Sequence, residues 1–137
     1  GVSYYNDSFS TTPETAIAAL HAFTEPLIII LGGSEKGSDY SVLGREIQEA
    51  KNLKAVILIG NTAGKIESAV ERAGGFPSEI QIIRNLPDMP SIVSAAEKIS
   101  ASGDVVLLSP ACASFDMFKN YKERGNQFTL GAKKLCA

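Results

Sequence analysis

Residues 26–33 read Pro-Leu-Ile-Ile-Ile-Leu-Gly-Gly, an apolar run without polar alternation that stops on two glycines. A strand with one wet face alternates apolar and polar side chains, so a run that is apolar at every position predicts a strand buried on both faces. Such strands belong to parallel sheets sandwiched between helices. The pattern recurs at Ala55–Ile59 and Val105–Leu108, and β-rich runs also lie at Val2–Asn6, Pro26–Leu31 and Ile80–Ile83. Behind each run comes a stretch of helical periodicity, about Pro13–Phe23, Ser41–Ala50, Thr62–Ala73, Met89–Ser100 and Phe118–Leu135. The succession predicts an α/β, Rossmann-like three-layer domain with a mainly parallel sheet of about five strands flanked by helices. The order of the strands does not follow from the sequence.

A chain of 137 residues that is 45% hydrophobic can bury one ordinary core, so residues 1–137 read as a single domain. A net charge of −2 argues against a nucleic-acid surface, which needs a basic stripe to neutralise phosphates. The basic residues Lys119, Lys122, Arg124, Lys133 and Lys134 read as a solvated helix face. Two cysteines, Cys112 and Cys136, make no disulfide framework, and with His21 as the single histidine no metal-ligand spacing exists. A reducing cytoplasm fits this usage. No apolar run approaches the ~18 residues of a membrane span, so no membrane partner is expected. Because Val2-Ser3-Tyr4-Tyr5 reads as a strand from the outset, the chain is expected to be a piece of a longer polypeptide.

In parallel sheets the ligand crevice lies at the C-terminal ends of the strands, which singles out three loops. The first is Asn6-Asp7-Ser8-Phe9-Ser10-Thr11-Thr12-Pro13. Thr12 before Pro13 is a helix start, but capping does not account for so many polar residues, and Asp7 and Thr11 become candidate ligand contacts. The second runs from Gly32-Gly33 through Lys36 to Asp39. Its glycines match neither a P-loop, which has lysine and a hydroxyl residue after the second glycine, nor a dinucleotide fingerprint. Lys36 is either a carboxylate anchor or a solvated loop lysine. The third is Ser109-Pro110-Ala111-Cys112-Ala113-Ser114. Its small residues leave a ligand room near the backbone, with Ser109, Ser114 and the amides of a following helix facing it; alternatively Ser114 only caps that helix. Phe115, Phe118, Tyr121 and Phe128 read as core or rim.

Taken together, these loops resemble the C-terminal domain of the Mur ligases, and among them the members that add D-glutamate. The resemblance is carried by Tyr5-Asn6-Asp7-Ser8 with Thr11, by Gly32-Gly33 with Lys36 and Asp39, and by the stretch Leu108 to Asp116 with Phe118-Lys119-Asn120 and Arg124-Gly125-Asn126. It implies a cytoplasmic, ATP-dependent amide ligase of peptidoglycan precursor synthesis. Its N-terminal UDP-binding and central ATPase domains are not in this chain, and the central domain binds ATP and Mg²⁺. That ligase makes an acyl phosphate on UDP-N-acetylmuramoyl-L-alanine, and the amine of D-glutamate then attacks it. The resemblance further implies that Thr11 and Lys36 hold the α-carboxylate of D-glutamate. Ser114, Phe115 and the backbone at Tyr121 surround its side-chain carboxylate, and Asp7 reaches the nucleotide ribose. Asn6, Gly32, Gly33, Ser109 and Asn120 support the loops, and no residue of this domain is assigned a catalytic role of its own. Where members of the family carry a lysine two residues after the aspartate, this chain has Phe9. A ligase adding another amino acid or extending folate with glutamate, and a non-catalytic α/β binding module, are the alternative readings.

Overall fold

The computed structural model describes residues 1–114 and 116–135. Five strands and five helices alternate along the chain as β1 Ser3–Asn6, α1 Pro13–Leu20, β2 Leu27–Gly32, α2 Ser41–Glu49, β3 Leu53–Ile59, α3 Ala63–Arg72, β4 Gln81–Ile83, α4 Met89–Ile99, β5 Val105–Leu108 and α5 Tyr121–Leu135. All pairings are parallel, in the order β1-β5-β2-β3-β4. The last strand therefore enters between the first two.

The apolar runs do what their lack of alternation predicts. Every residue of β2 and β5 is buried, and successive side chains go to opposite cores, as the two-residue pleat dictates. Leu27, Ile29 and Leu31 join Val56, Leu58, Val105 and Leu107 beneath α1, α2 and α3. Ile28 and Ile30 join Ile57, Val106 and Leu108 beneath α4 and α5, with Met89, Ile92 and Phe128. Each such side chain contributes about 1.5–3 kcal/mol by leaving water, and the edge strands contribute least, β1 being exposed at three of its four residues and β4 having none fully buried. None of the described helices is long and apolar enough to cross a membrane.

Local rules account for the helix boundaries. Thr12 caps α1 by accepting the Thr15 amide, with Pro13 in the first turn. That helix stops at Leu20 rather than Phe23, and His21 follows it, exposed and paired with Glu46 at 2.8 Å. The final helix begins at Tyr121, not at Phe118: the amides of Met117 and Phe118 turn back onto Ser114 O, and Asn120 supplies the cap by accepting the Glu123 amide at 2.9 Å. The expectation of a wholly solvated basic face fails at Arg124, which is 0% exposed. The other members of that cluster, Lys119, Lys122, Lys133 and Lys134, are exposed.

Candidate functional site

Because β5 lies between β1 and β2, the three loops singled out by their composition leave neighbouring strands at the same end of the sheet. The β5 exit is the hub. Toward β1, Ser109 Oγ donates to Asp7 Oδ2 at 3.0 Å, and the amide of Ala111 donates to Ser10 O at 3.0 Å. Toward β2, the Gly32 amide donates to Pro110 O at 2.9 Å and the Ser34 amide to Ala113 O at 2.8 Å. Glycines are required on the β2 side of that seam: Gly32 has φ of 121°, and a Cβ on Gly33 would lie 2.3 Å from Ala113 O.

The candidate residues occupy different parts of this hub. Asp7 is half-buried and tied to Ser109, while Thr11 is half-buried just beyond the stitched Ser10. The Lys36 side chain is exposed in the β2 exit, and its ammonium makes no ion pair with a described residue. Its neighbour Glu35 is paired with Lys65 of α3, which draws the loop toward that helix. Hydrogen bonds from Lys65 and from the Gly37 amide hold the Glu35 carboxyl below its usual range. Ser114 is 1% exposed, and its Oγ is buried without a hydrogen-bond partner among the described residues, as is Oδ1 of Asp116. Ser114 therefore does not cap α5. A buried hydroxyl left unmet costs about 1–3 kcal/mol, and a ligand reaches it only by displacing what covers it. Tyr121 is half-buried, its ring edge-on to the 73% exposed Phe9 at 5.4 Å. With the Glu123 amide taken by Asn120, the Tyr121 and Lys122 amides at the start of α5 have no partner among the described residues. Asn6 and Asn120 hold backbone groups of the β1 exit and of α5, Asn6 by accepting the Ser8 amide. Phe115 lies outside the described residues, as does Cys136.

Two concavities flank the hub. One of about 300 Å³ is lined by Asn6, Ser8, Phe9, Tyr121, Lys122 and neighbours, and one of about 340 Å³ by Ser38, Asp39, Tyr40, Lys65, Arg72 and neighbours.

Several residues that composition did not single out hold the hub together. The β3 exit, a terse Gly60-Asn61 in sequence, donates the Asn61 amide to Asp116 Oδ2 at 2.9 Å. Thr62 Oγ1 accepts the Gly33 amide at 3.0 Å and meets Cys112 Sγ at 3.2 Å. Tyr40 OH meets the same sulfur at 3.2 Å from the other side. Burial, followed by the hydrogen bond to Cys112, drives the Tyr40 phenol far above its ordinary value. Burial also raises the Cys112 thiol, against the lowering effect of Thr62 and Tyr40. Arg124 and Ser8 lie behind the loop. Ser8, Cys112, Asp116 and Arg124 stand in the strings that carry the family resemblance, whereas Tyr40, Asn61 and Thr62 had no such signal.

Among the described residues no group of three or more His, Cys, Asp or Glu is placed to hold a metal ion, and no loop has the residues of a triphosphate cradle. What the arrangement offers at the ends of three neighbouring strands is a lysine, hydroxyls and unpaired amides, a set suited to a small anionic molecule, with the Asp7 carboxylate beside it.

Comparison with known proteins agrees in kind. Residues 1–112 match the family described as Mur ligase, glutamate ligase domain. The chain is 46% identical over 128 residues to the UDP-N-acetylmuramoylalanine--D-glutamate ligase of Symbiobacterium thermophilum, covering 93% of this chain and 27% of that protein. The enzymes of the same name from Acetivibrio thermocellus and Clostridium tetani are 45% and 43% identical, each over 93% of this chain and 28% and 27% of their own length. The chain thus spans about a quarter of the curated relatives it matches.

Proposed function

Given that this chain belongs to the Mur ligase glutamate ligase domain family, we propose that it is the amino-acid-delivering domain of an ATP-dependent ligase that joins D-glutamate to UDP-N-acetylmuramoyl-L-alanine in the cytoplasm. The observation that carries this reading is the insertion of β5 between β1 and β2, which sets the Thr11, Ser114 and Lys36 loops side by side. D-Glutamate has two carboxylates and one amine that must stay free to react. In the proposed arrangement the Lys36 ammonium and the Thr11 hydroxyl take the α-carboxylate. The Ser114 hydroxyl and the Tyr121 amide take the side-chain carboxylate. Charge-assisted contacts at both ends fix the molecule's orientation, which converts the attack of its amine into a positioned, effectively unimolecular step.

ATP and Mg²⁺ belong, in this reading, to the other domains of the same polypeptide, because the described residues of this chain make neither a phosphate cradle nor a metal site. Asp7 is the residue offered to the nucleotide, as an acceptor for a ribose hydroxyl. Beside it Phe9 offers an exposed ring instead of the lysine that the family resemblance implies.

The test is the complete ligase carrying Lys36→Ala. Losing a charge-assisted contact costs about 1.5–3 kcal/mol, so kcat/KM for D-glutamate should fall roughly tenfold to hundredfold. The melting temperature should hold, because the side chain is exposed. Unaltered kinetics would make Lys36 a solvated loop residue. Faster turnover of the wild type with a different amino acid would make this another amide ligase.

A further inference from the structure

Arg124 carries a positive charge into the interior, where the Asp116 carboxylate favours that charge from beyond ion-pair distance. Among the described residues no carboxylate lies within ion-pair distance of its guanidinium, although the side chain is wholly buried. Such a group is tolerated only where its N–H groups find acceptors. Nε donates to Ser8 Oγ at 2.9 Å, Nη2 to Ser8 O at 2.6 Å and Nη1 to Cys112 O at 2.9 Å. The acceptors sit on two different loops, those leaving β1 and β5, and the arginine is on α5. Ser8 Oγ passes the linkage on by donating to Tyr121 O at 2.6 Å. Beside it, Asn6 Nδ2 donates to Gly125 O and to Thr129 Oγ1, both at 3.0 Å. A Cβ on Gly125 would lie 2.9 Å from the Asn6 side chain and 3.0 Å from Ser8 Cβ, so glycine is what lets the helix seat this close.

We propose that Arg124 is the positioning residue of the crevice: its guanidinium joins the β1 and β5 exit loops through Ser8 and Cys112, and so sets the separation between Asp7 and Thr11 on one side and Ser114 on the other. Being buried, it acts through these loops and touches no ligand. Arginine is needed because its planar fork reaches acceptors in two directions at once; a lysine in its place keeps the charge and loses the span. The consequence for D-glutamate rests on the function proposed above, whereas the joining of the loops does not.

The experiment uses the complete ligase with Arg124→Lys, Ser8→Ala and the two combined. Two measurements are made: steady-state kinetics, and amide hydrogen exchange followed by mass spectrometry. Misplacing bound groups by an ångström costs up to roughly a hundredfold. Arg124→Lys is therefore expected to lower kcat/KM for D-glutamate by roughly tenfold to hundredfold, with KM for the muramoyl substrate held within about twofold. Exchange should accelerate in residues 6–12 and 109–114 while β2 and β3 keep wild-type protection. Ser8→Ala retains the carbonyl acceptor, so it should fold and show a smaller effect of the same kind. The double variant should fall short of the sum, since both changes act on one linkage. If Arg124→Lys does not fold, Ser8→Ala decides by the same two readouts. Exchange that accelerates equally in β2 and β3 would make Arg124 a core residue and overturn the proposal, as would unchanged exchange in both loops. Selective loosening with no D-glutamate turnover in the wild type would uphold the joining of the loops and defeat the D-glutamate reading.

Discussion

Ala111 and Cys112 show how tightly single residues are held at the turn leaving β5. Ala111 has φ of 67° and is wholly buried, in a region that costs an L-residue about 1–2 kcal/mol. Its amide bond to Ser10 and the neighbouring contacts of Pro110 hold it there. A β-branched residue would fit neither the backbone nor the space. The Cys112 sulfur sits between Tyr40 OH and Thr62 Oγ1, with its thiol pushed up by burial. A thiol is attacked as its thiolate, so in a Cys136→Ser background Cys112 should react with iodoacetamide at pH 8 far more slowly in the native chain than in urea. Equal rates would mean that the site is open. The accompanying pH effect has a definite sign. The folded protein keeps the proton longer than the unfolded chain, so this stabilisation is full below the ordinary thiol value near 8.5 and is lost as pH rises past it.

At the scale of elements, the two ends of the sheet do different work. The C-terminal ends of β1, β5 and β2 carry the loops of the candidate site. At the opposite end, Lys54 at the start of β3 donates to Asp104, just before β5, at 2.6 Å. The amide of Ala101 donates to the same carboxylate at 2.8 Å. Burial raises the Asp104 carboxyl, but the hydrogen bonds from Lys54 and Ala101 and the lysine charge outweigh it and leave it below its ordinary value. Its stabilisation is thus present above the unfolded value near 3.9 and is lost as pH falls through the lower, folded one. Asp104→Ala leaves the Ala101 amide unmet while the half-exposed lysine turns to water, a loss of about 1–3 kcal/mol. Denaturant unfolding should register that loss at pH 7 and a smaller one under acid. In the complete ligase, KM for D-glutamate should not move, because the pair lies a strand's length from the crevice. A raised KM would show that the two ends are coupled.

At the scale of the whole molecule, the sheet carries a core on each face and its polar loops at one end, with no phosphate cradle among the described residues. Under the proposed function, that leaves this domain to position the amino acid. Taken alone, the 137-residue chain is expected to release no ADP from ATP when D-glutamate and UDP-N-acetylmuramoyl-L-alanine are supplied. The readout is a coupled ADP assay on protein free of other ligases. Turnover that tracks the chain through purification and depends on both substrates would place the phosphate chemistry inside this domain.

What the sequence determined by itself was local and periodic. The unalternating runs at Pro26–Leu31, Ala55–Ile59 and Val105–Leu108 specify strands buried on both faces, because a solvated face would strand their isoleucines and leucines in water. Thr12-Pro13 marks a helix start through one hydroxyl and one missing donor. The three polar loops, and the family they resemble, were legible for the same reason: each is a short string whose chemistry does not depend on its neighbours. Only the tertiary structure decided that β5 enters between β1 and β2, since parallel pairing depends on backbone bonds between segments far apart in the chain. It also decided that Arg124 turns inward while its basic neighbours on α5 stay exposed, and that Thr62, from a loop with almost no polar signal, reaches Cys112. Charge and helical phase alone assign an arginine to solvent. Its burial depends on acceptors at Ser8 and Cys112, which no neighbour in sequence supplies and which only the folded sheet brings to one place.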